Sequence, residues 1–303
     1  MSQWLHTLAH PGPRPALQRA ARMVARAWLR LRALGTPEYR PPDEAEWTRI
    51  ECDLAAQGIA IEALRVSAPD FTAFQETFPF PSDYYDGTGG AIHVEKQLEH
   101  YIAWLLIGPE RPQMQPYLDV AACASPWAML LRERGVESYA IDLAPDGPYA
   151  SLPYYERQDA TKTRFADHQV GSASLQCALE MFAGDSDTAL VNELARVLRP
   201  GGRAVISPLY LHTHPCHYQT PDNLHRVKGD AGATTYVRND CWGVASSRKY
   251  SANTFMERIW RPALASGLVP SLWALRNAHD IHPQAYLRII LVLEQPAPQA
   301  VTS

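Results

Sequence analysis

The chain has 303 residues, of which 46% are hydrophobic and 20% charged, so it is long and apolar enough to bury a sizeable core. Its net charge of -4 gives no overall reason to expect a nucleic-acid partner. No apolar run approaches the roughly 20 residues that cross a bilayer, which argues against a membrane-spanning helix.

The five cysteines are widely scattered and form no CxxC pair, so the sequence favours a reducing cytoplasm over a disulfide framework. The first residues lack the basic-then-apolar order of a signal peptide. We therefore expect a cytoplasmic protein.

Residues 1–112 predict a helical and aromatic segment that covers the ligand edge of the main domain. Residues 16–34 combine arginines with apolar residues at helical spacing and predict a basic amphipathic helix. Such a helix can bind anionic lipid or an acidic partner, but the favoured interpretation is an ordinary helix packed on its own domain. Residues 70–92 are rich in aromatic residues, proline and glycine and predict a loop, and residues 93–107 predict a further helix.

From residue 117 the pattern changes, because short apolar segments begin to alternate with helical ones. This alternation predicts an α/β domain over residues 113–295, with a parallel sheet covered on both faces. A polar and aromatic insertion interrupts the pattern at residues 212–250. Residues 296–303 predict a disordered tail.

Three acidic residues fall where predicted strands end. Asp119 lies in the first strand, Asp142 closes "YAIDLA" 23 residues later, and Asp159 lies in "YERQDATKTRF". The carboxyl ends of parallel strands form the ligand edge of such sheets. A carboxylate about 20 residues beyond the first turn can accept hydrogen bonds from both hydroxyls of a ribose.

At this point the sequence resembles the class I S-adenosylmethionine-dependent methyltransferases of the broad small-molecule type, over about residues 115–295. "YLDVAACASPW" occupies the place of the family's first motif, and "AIDLA" that of its ribose-binding strand end. "LARVLRPGGRAVIS" resembles the family's helix-turn-strand segment and is the most specific part. The resemblance implies a three-layer, Rossmann-like fold with a mostly parallel seven-stranded sheet, and S-adenosyl-L-methionine as cofactor.

The same resemblance implies roles for individual residues. Asp119 would orient the methionine amino group, Asp142 would hold the ribose, Asp159 with Ala160 would meet the adenine, and Glu180 with Met181 would line the reacting end. The cofactor-binding residues predicted in this way are Asp119, Ala121, Cys123, Ser125, Asp142, Leu143, Asp159, Ala160, Glu180 and Met181.

The first motif departs from the family because Ala121, Cys123 and Ser125 stand where glycines are expected. Glycine allows unusual backbone angles and a close approach of the ligand. In one interpretation the loop binds the cofactor in the usual way, with a slightly altered backbone. In the other, the pose is changed or binding is lost; the three retained acidic residues favour the first.

Two segments outside the sheet offer residues for chemistry. Tyr84 and Tyr85, in the aromatic segment, would either close a lid over the sulfonium by cation–π attraction or belong to a hydrophobic plug. In the insertion, His212 and His214 are candidate general bases.

The insertion also offers residues for a substrate or an ion. Arg238 and Arg248 are candidates for binding an anionic substrate group, with ion pairs to Asp230 or Asp240 as the alternative. His212, His214, Cys216 and His217 are metal-ligand types, but no second pair of ligands is evident, so no metal is predicted.

The expected function is methyl transfer to a small biosynthetic molecule. The first alternative is an azetidine-2-carboxylate synthase-type cyclase, which would consume S-adenosylmethionine itself and release methylthioadenosine. The second alternative is a non-catalytic binding protein of the same fold. Neither a nucleic acid nor a membrane is expected as a partner, and the sequence leaves a homodimer open.

Overall fold

The computed structural model of the protein describes residues 16–85, 87 and 90–297. Its central sheet has eight strands, in the spatial order β1-β10-β11-β6-β5-β2-β3-β4. These strands are β1 (Ile61–Leu64), β2 (Tyr117–Val120), β3 (Ser138–Asp142), β4 (Tyr155–Arg157), β5 (Val170–Gln176), β6 (Leu198–Ser207), β10 (Val269–Leu275) and β11 (Ile289–Glu294). All neighbouring strands are parallel except β11, which is antiparallel to both β10 and β6.

Helices cover both faces of this sheet, which gives the predicted three layers and Rossmann-like class. The described α-helices, of which α1 lies off the sheet, are α1 (Ala16–Arg32), α2 (Glu44–Ala56), α3 (Ala68–Thr77), α4 (Ala91–Ile107), α5 (Trp127–Glu133), α6 (Ser186–Val197), α7 (Ala252–Phe255), α8 (Arg261–Ala265) and α9 (Ala278–Ile281). One apolar core packs α2, α6 and α7 on the sheet, and a second packs α3, α4 and α5 on the opposite face. No helix in the described ranges is long and apolar enough to cross a membrane.

The sheet has one strand more than predicted. Strand β1 comes from the N-terminal segment and pairs in parallel with β10, from Ile61 opposite Leu272 to Leu64 opposite Leu275. Residues 1–112 were expected to form a separate lid, but in the described part they add an edge strand to the sheet. The prediction missed β1 because a four-residue edge strand with two exposed side chains has too little periodicity to recognise.

The aromatic segment also differs from the prediction of a loop, since residues 68–77 form α3. Ser67 caps this helix by accepting a hydrogen bond from the Asp70 backbone N–H. Phe74 and Phe78 then pack in the core against Trp127, with ring centroids 5.7 and 4.9 Å away. This half of the aromatic segment is therefore a hydrophobic plug in the core, and we call it the plug.

Helix α1 forms as predicted, but its apolar residues do not pack on the domain. Val24 is 70% exposed and Leu31 62% exposed. Its arginines face the insertion instead, and Arg26 lies 4.8 Å from the ring centroid of Trp242. The interpretation of an ordinary packed helix is therefore wrong for the described part of α1.

The insertion contains a second, three-stranded sheet in the order β8-β7-β9, formed by β7 (Cys216–Gln219), β8 (Thr234–Val237) and β9 (Ser247–Lys249). Strand β7 pairs in parallel with β8 and antiparallel with β9. The predicted disordered tail lies outside the described residues from residue 298 onward.

Candidate active site

The loop after β2 keeps the backbone shape that glycines would allow. Ala121 and Cys123 have φ angles of 55° and 49°, in the left-handed region. This conformation costs a non-glycine residue about 1–2 kcal/mol, so the surrounding hydrogen bonds must impose it. Ser125 closes the turn by donating its backbone N–H to the carbonyl of Ala122 at 2.8 Å.

Asp142, the last residue of β3, fastens this loop. Its Oδ2 accepts the backbone N–H of Cys123 at 3.0 Å, and its Oδ1 accepts that of Ala144 at 2.7 Å. Asp142 is half-buried, and each carboxylate oxygen can accept a further hydrogen bond. The carboxylate can therefore hold the loop in place and still accept hydrogen bonds from hydroxyl groups.

Asp119 lies in β2, near the carboxyl edge of the sheet. The strand order reverses at this strand, because β2 has β5 on one side and β3 on the other. The Asp119 side chain is 1% exposed, and its Oδ2 has no hydrogen-bond partner among the described residues. Burial raises its pKa to about 7, against the opposing effect of a hydrogen bond from Ser125. A buried acceptor without a partner is costly, and an ammonium group would satisfy it.

The adenine-binding residues predicted at the third strand end lie beyond β4. Asp159 is exposed, and its Oδ1 accepts the backbone N–H and the hydroxyl of Thr161 at 2.8 and 2.7 Å. Ala160 is buried in the core beside it. Leu143, after Asp142, exposes its apolar side chain at the same edge of the sheet.

The segment after β5 carries a cluster of polar side chains at the predicted reacting end, which we call the polar group. The thiol of Cys177 lies 3.4 Å from Oε1 of Glu180 and 3.4 Å from the hydroxyl of Tyr210. Glu180 is buried, and its Oε2 has no hydrogen-bond partner in the described chain. Met181 follows in the same short turn and is partly exposed.

Helix α4 adds a buried ion pair that the sequence did not predict. The ammonium of Lys96 donates to both carboxylate oxygens of Glu99, at 2.9 and 2.8 Å. It also lies 5.6 Å from the ring centroid of Tyr85. Burial raises the pKa of Glu99 to about 8, against the attraction of Lys96. Lys96 also lies close enough to Cys177 to interact with it, which links α4 to the segment after β5.

Lys249 of β9 lies on the insertion side of the same group. Its Nζ donates to Ser247 Oγ at 2.9 Å and lies 3.6 and 5.0 Å from the ring centroids of Tyr210 and Tyr218. Burial lowers its pKa to about 8, while nearby Glu180 acts in the opposite direction. Lys96, Glu99 and Lys249 escaped prediction because charged residues in a helix or loop normally indicate a solvated face.

The two predicted lid tyrosines lie between the plug and this polar group. The Tyr84 ring packs 5.5 Å from Phe80, on the plug side. Tyr85 is 40% exposed, has a left-handed φ of 53°, and faces Lys96. The described segment is therefore a plug up to Tyr84, and Tyr85 reaches the polar group.

The predicted bases His212 and His214 occupy a different place, beside the N-terminal segment. Their rings lie 4.4 Å apart, and His214 Nε2 is 2.9 Å from the hydroxyl of Tyr236. The ring of Tyr39 lies 6.4 Å from that of His212. Their contacts are thus with an aromatic cluster, whereas the residues after β5 contact Lys96 and Tyr210.

The two predicted substrate-binding arginines are already engaged. Arg238 pairs with Asp240 at 2.8 Å, which matches the alternative of an ion pair. Arg248 is buried, and its guanidinium has five acceptor contacts at 2.7–3.0 Å, to Asp230, Asp187, Phe182 and Gly184. Four of these contacts are donated hydrogen bonds and the fifth is an ion pair with Asp187, so Arg248 joins the insertion to α6.

Comparison with known proteins agrees with this topology. Residues 118–206 match the family described as a methyltransferase domain. The match begins in β2, ends in β6 and contains the loop and the acidic strand ends described above. Over these residues the chain is similar to a methyltransferase domain.

Solved structures with a similar fold include several methyltransferases. A Burkholderia thailandensis 1,6-didemethyltoxoflavin-N1-methyltransferase, bound to its substrate and S-adenosylhomocysteine, is 14% identical (78% of this chain, 93% of that chain, TM-score 0.46). A Streptomyces coelicolor geranyl diphosphate C-methyltransferase is 12% identical (70% and 85%, TM-score 0.39). A Mesorhizobium loti S-adenosylmethionine-dependent methyltransferase is 17% identical (63% and 96%, TM-score 0.41). No curated protein matches the chain in sequence.

The residues of the methyltransferase domain fit the cofactor of the superfamily, S-adenosylmethionine. Asp119 offers an unpartnered carboxylate oxygen for an ammonium group. Asp142 offers free acceptor positions for hydroxyl groups, and the left-handed residues Ala121 and Cys123 preserve the turn that brings backbone close to a ligand. The absence of glycine from the first motif has not removed its shape.

Proposed function

We propose that this protein binds S-adenosylmethionine at the edge formed by β2 and β3 and transfers its methyl group to a small molecule. The observation that carries the proposal is the buried carboxylate of Asp119, whose Oδ2 lacks a partner among the described residues. A loop with glycine-like geometry follows it directly. A folded protein keeps such an acceptor when a ligand completes it.

In this proposal, Asp119 binds the amino group, Asp142 the ribose, and Asp159 with Ala160 the adenine. The bound cofactor supplies an electrophilic methyl group on a sulfonium. The protein then has to position an acceptor beside it and exclude water. Tyr85, on the lid side, and Tyr210, after β6, supply aromatic walls for that purpose.

The acceptor loses a proton if it reacts through oxygen or nitrogen, and two groups can take it. Burial lowers the pKa of Lys249 to about 8, so about a tenth of its amine is neutral at pH 7 and can act as a base. Glu180 offers its free Oε2 nearby. Lys249 comes from the insertion and Glu180 from the turn after β5, whereas Asp119 and Asp142 come from β2 and β3.

A second candidate function is ring closure of S-adenosylmethionine itself. The observation that favours it is the buried ion pair of Lys96 and Glu99, which places the protein's own charged groups beside Cys177. In this reaction the γ-carbon exchanges its bond to sulfur for a bond to the amine nitrogen, and methylthioadenosine leaves. Asp119 would take the amine proton, for which a pKa of about 7 is suitable.

Product analysis separates these functions. The purified protein is incubated with S-adenosylmethionine, alone and with a fractionated small-molecule extract, and nucleosides are identified by mass spectrometry against a no-enzyme control. Methyl transfer predicts S-adenosylhomocysteine only when an acceptor fraction is present. Enzyme-dependent methylthioadenosine from the cofactor alone would establish ring closure instead. Absence of cofactor binding would contradict both and favour a binding protein.

A further inference from the structure

Three metal-ligand side chains meet at the entrance to β7. They are His212, His214 and Cys216, from the segment "HTHPC", and the ligand atom of each lies within 4.8 Å of the others. The chain bends at residues 213 and 214 before it enters β7 at Cys216. The imidazoles and the thiol therefore converge on one point.

Backbone hydrogen bonds fix the positions of these residues. His212 donates its backbone N–H to the carbonyl of Tyr250 at 2.7 Å. Cys216 lies in the central strand of the small sheet, with Thr234 of β8 and Lys249 of β9 as its neighbours. Cys216 is fully buried, and His212 is 6% exposed. The site is thus held in place by elements that do not depend on an ion.

We propose that His212, His214 and Cys216 form a zinc-binding site. Zinc binds imidazole nitrogen at about 2.0–2.1 Å and thiolate sulfur at about 2.3 Å, and sites with three protein ligands leave a fourth position for water or substrate. The three donor atoms need to close by roughly 1 Å to reach tetrahedral spacing, which rotation of the imidazoles allows. The thiol of Cys216 releases its proton to solvent as the Zn–S bond forms.

His217, the other histidine of this segment, is not part of the site. Its Nδ1 lies 2.9 Å from Ser246 Oγ, and its Nε2 lies 3.2 Å from Asp230. Successive residues of a strand point to opposite faces, so Cys216 and His217 face apart. The described chain therefore offers three ligands and an open fourth position, a different arrangement from the two separated pairs sought in the sequence.

The position of the site gives the ion a mechanical consequence. Tyr39, which packs against His212, donates its backbone N–H to the carbonyl of Val237 in β8 at 2.8 Å. The N-terminal segment and the small sheet therefore meet at these ligands. A bound ion would connect the start of the insertion with β7 and stabilise the wall that carries Lys249.

Cobalt substitution tests the proposal without reference to methyl transfer. The full-length protein is stripped with a chelator and titrated with Zn²⁺ and with Co²⁺, followed by metal analysis and by absorption spectroscopy. We expect one ion per chain and, with Co²⁺, a thiolate charge-transfer band. Cys216→Ser should abolish the band and weaken zinc binding at least 100-fold, while Cys241→Ser, at a half-buried free thiol, should change neither.

His214→Ala provides a second variant, because His214 is half-buried and its loss should leave the sheet intact. Circular dichroism checks the fold of each variant. Loss of zinc affinity in folded His214→Ala protein would support the site. No charge-transfer band in the wild type, a band that survives Cys216→Ser, or unchanged zinc affinity in His214→Ala would overturn it.

Discussion

The two walls of the candidate site are built in different ways. The cofactor wall, formed by β2, β3 and the loop 121–125, relies on backbone geometry and on two carboxylates at adjacent strand ends. The acceptor wall, formed by α4, the segment after β5 and the insertion, relies on buried side chains from distant parts of the chain. The cofactor wall is an arrangement suited to one kind of ligand, whereas the acceptor wall carries the features particular to this protein.

This difference determines where substitutions should act. On the acceptor side, buried charges are paired with each other, so removal of one charge leaves its partner without compensation. On the cofactor side, Asp119 and Asp142 have acceptor positions left for a ligand. We therefore expect substitutions in the acceptor wall to damage stability and substitutions in the cofactor wall to damage binding.

The largest effect is expected at the ion pairs of the insertion. Arg248→Met removes the buried guanidinium that bonds Asp230 and the carbonyls of Phe182 and Gly184, so the free energy of unfolding should fall by about 3–5 kcal/mol. Arg238→Met removes a solvent-accessible pair with Asp240 and a contact with the Tyr218 ring, and the expected loss is about 1 kcal/mol. Urea denaturation measures both. Equal losses would contradict the difference between the buried and the exposed guanidinium.

The second effect concerns the cofactor wall. Asp142→Ala removes charged hydrogen bonds to a ligand and to the Cys123 N–H, so affinity for S-adenosylhomocysteine should fall roughly 100-fold, or about 2.7 kcal/mol. Calorimetric titration measures it, with Asp53→Ala on the exposed face of α2 as the control. Unchanged affinity in folded Asp142→Ala protein would remove Asp142 from the site.

The third effect is a pH dependence of binding. In the free protein Asp119 has a pKa raised to about 7, so below pH 7 it holds a proton that it must release to bind an ammonium group. Cofactor affinity should therefore fall about tenfold for each pH unit below 7 and level off above it. The test is calorimetry between pH 5.5 and 8. Asp119→Asn should remove this slope, and an identical slope in that variant would exclude Asp119 as its origin.

The smallest effect tests the loop without glycines. Ala121→Gly relieves a left-handed φ but adds flexibility to the unfolded chain, so stability should stay equal or rise by up to about 1 kcal/mol. Ala122→Gly, at a residue outside the left-handed region, should lose about 0.5–1 kcal/mol. Thermal unfolding distinguishes them. A loss at Ala121 as large as at Ala122 would mean that the loop gains nothing from glycine.

The sequence predicted the cofactor wall because its signals are local. Strand β3 ends at Asp142, β2 contains Asp119, and the spacing between them reflects one strand–helix–strand unit. The alternation of strands and helices, with short links, was enough to place the ligand edge. The absence of glycine from the loop after β2 did not hide this edge, because Asp119, Asp142 and Asp159 all fall where predicted strands end.

The acceptor wall could not be predicted in the same way. Lys96 and Glu99 lie in a helix whose polar residues suggest contact with water, yet nearly the whole of α4 is buried between the sheet and the plug. Lys249 and Arg248 are adjacent in sequence, but one joins the polar group and the other binds Asp187. The Arg248 partners Phe182 and Asp187 lie more than 60 residues away along the chain, and no local pattern reports such contacts.

A crystal structure of the protein with S-adenosylmethionine or S-adenosylhomocysteine tests the central claim most directly. The account predicts the amino group at Asp119, the ribose hydroxyls at Asp142, and unchanged left-handed angles at Ala121 and Cys123. A ligand bound away from β2 and β3, or a loop 121–125 that reorganises and leaves Asp119 without a partner, would contradict it.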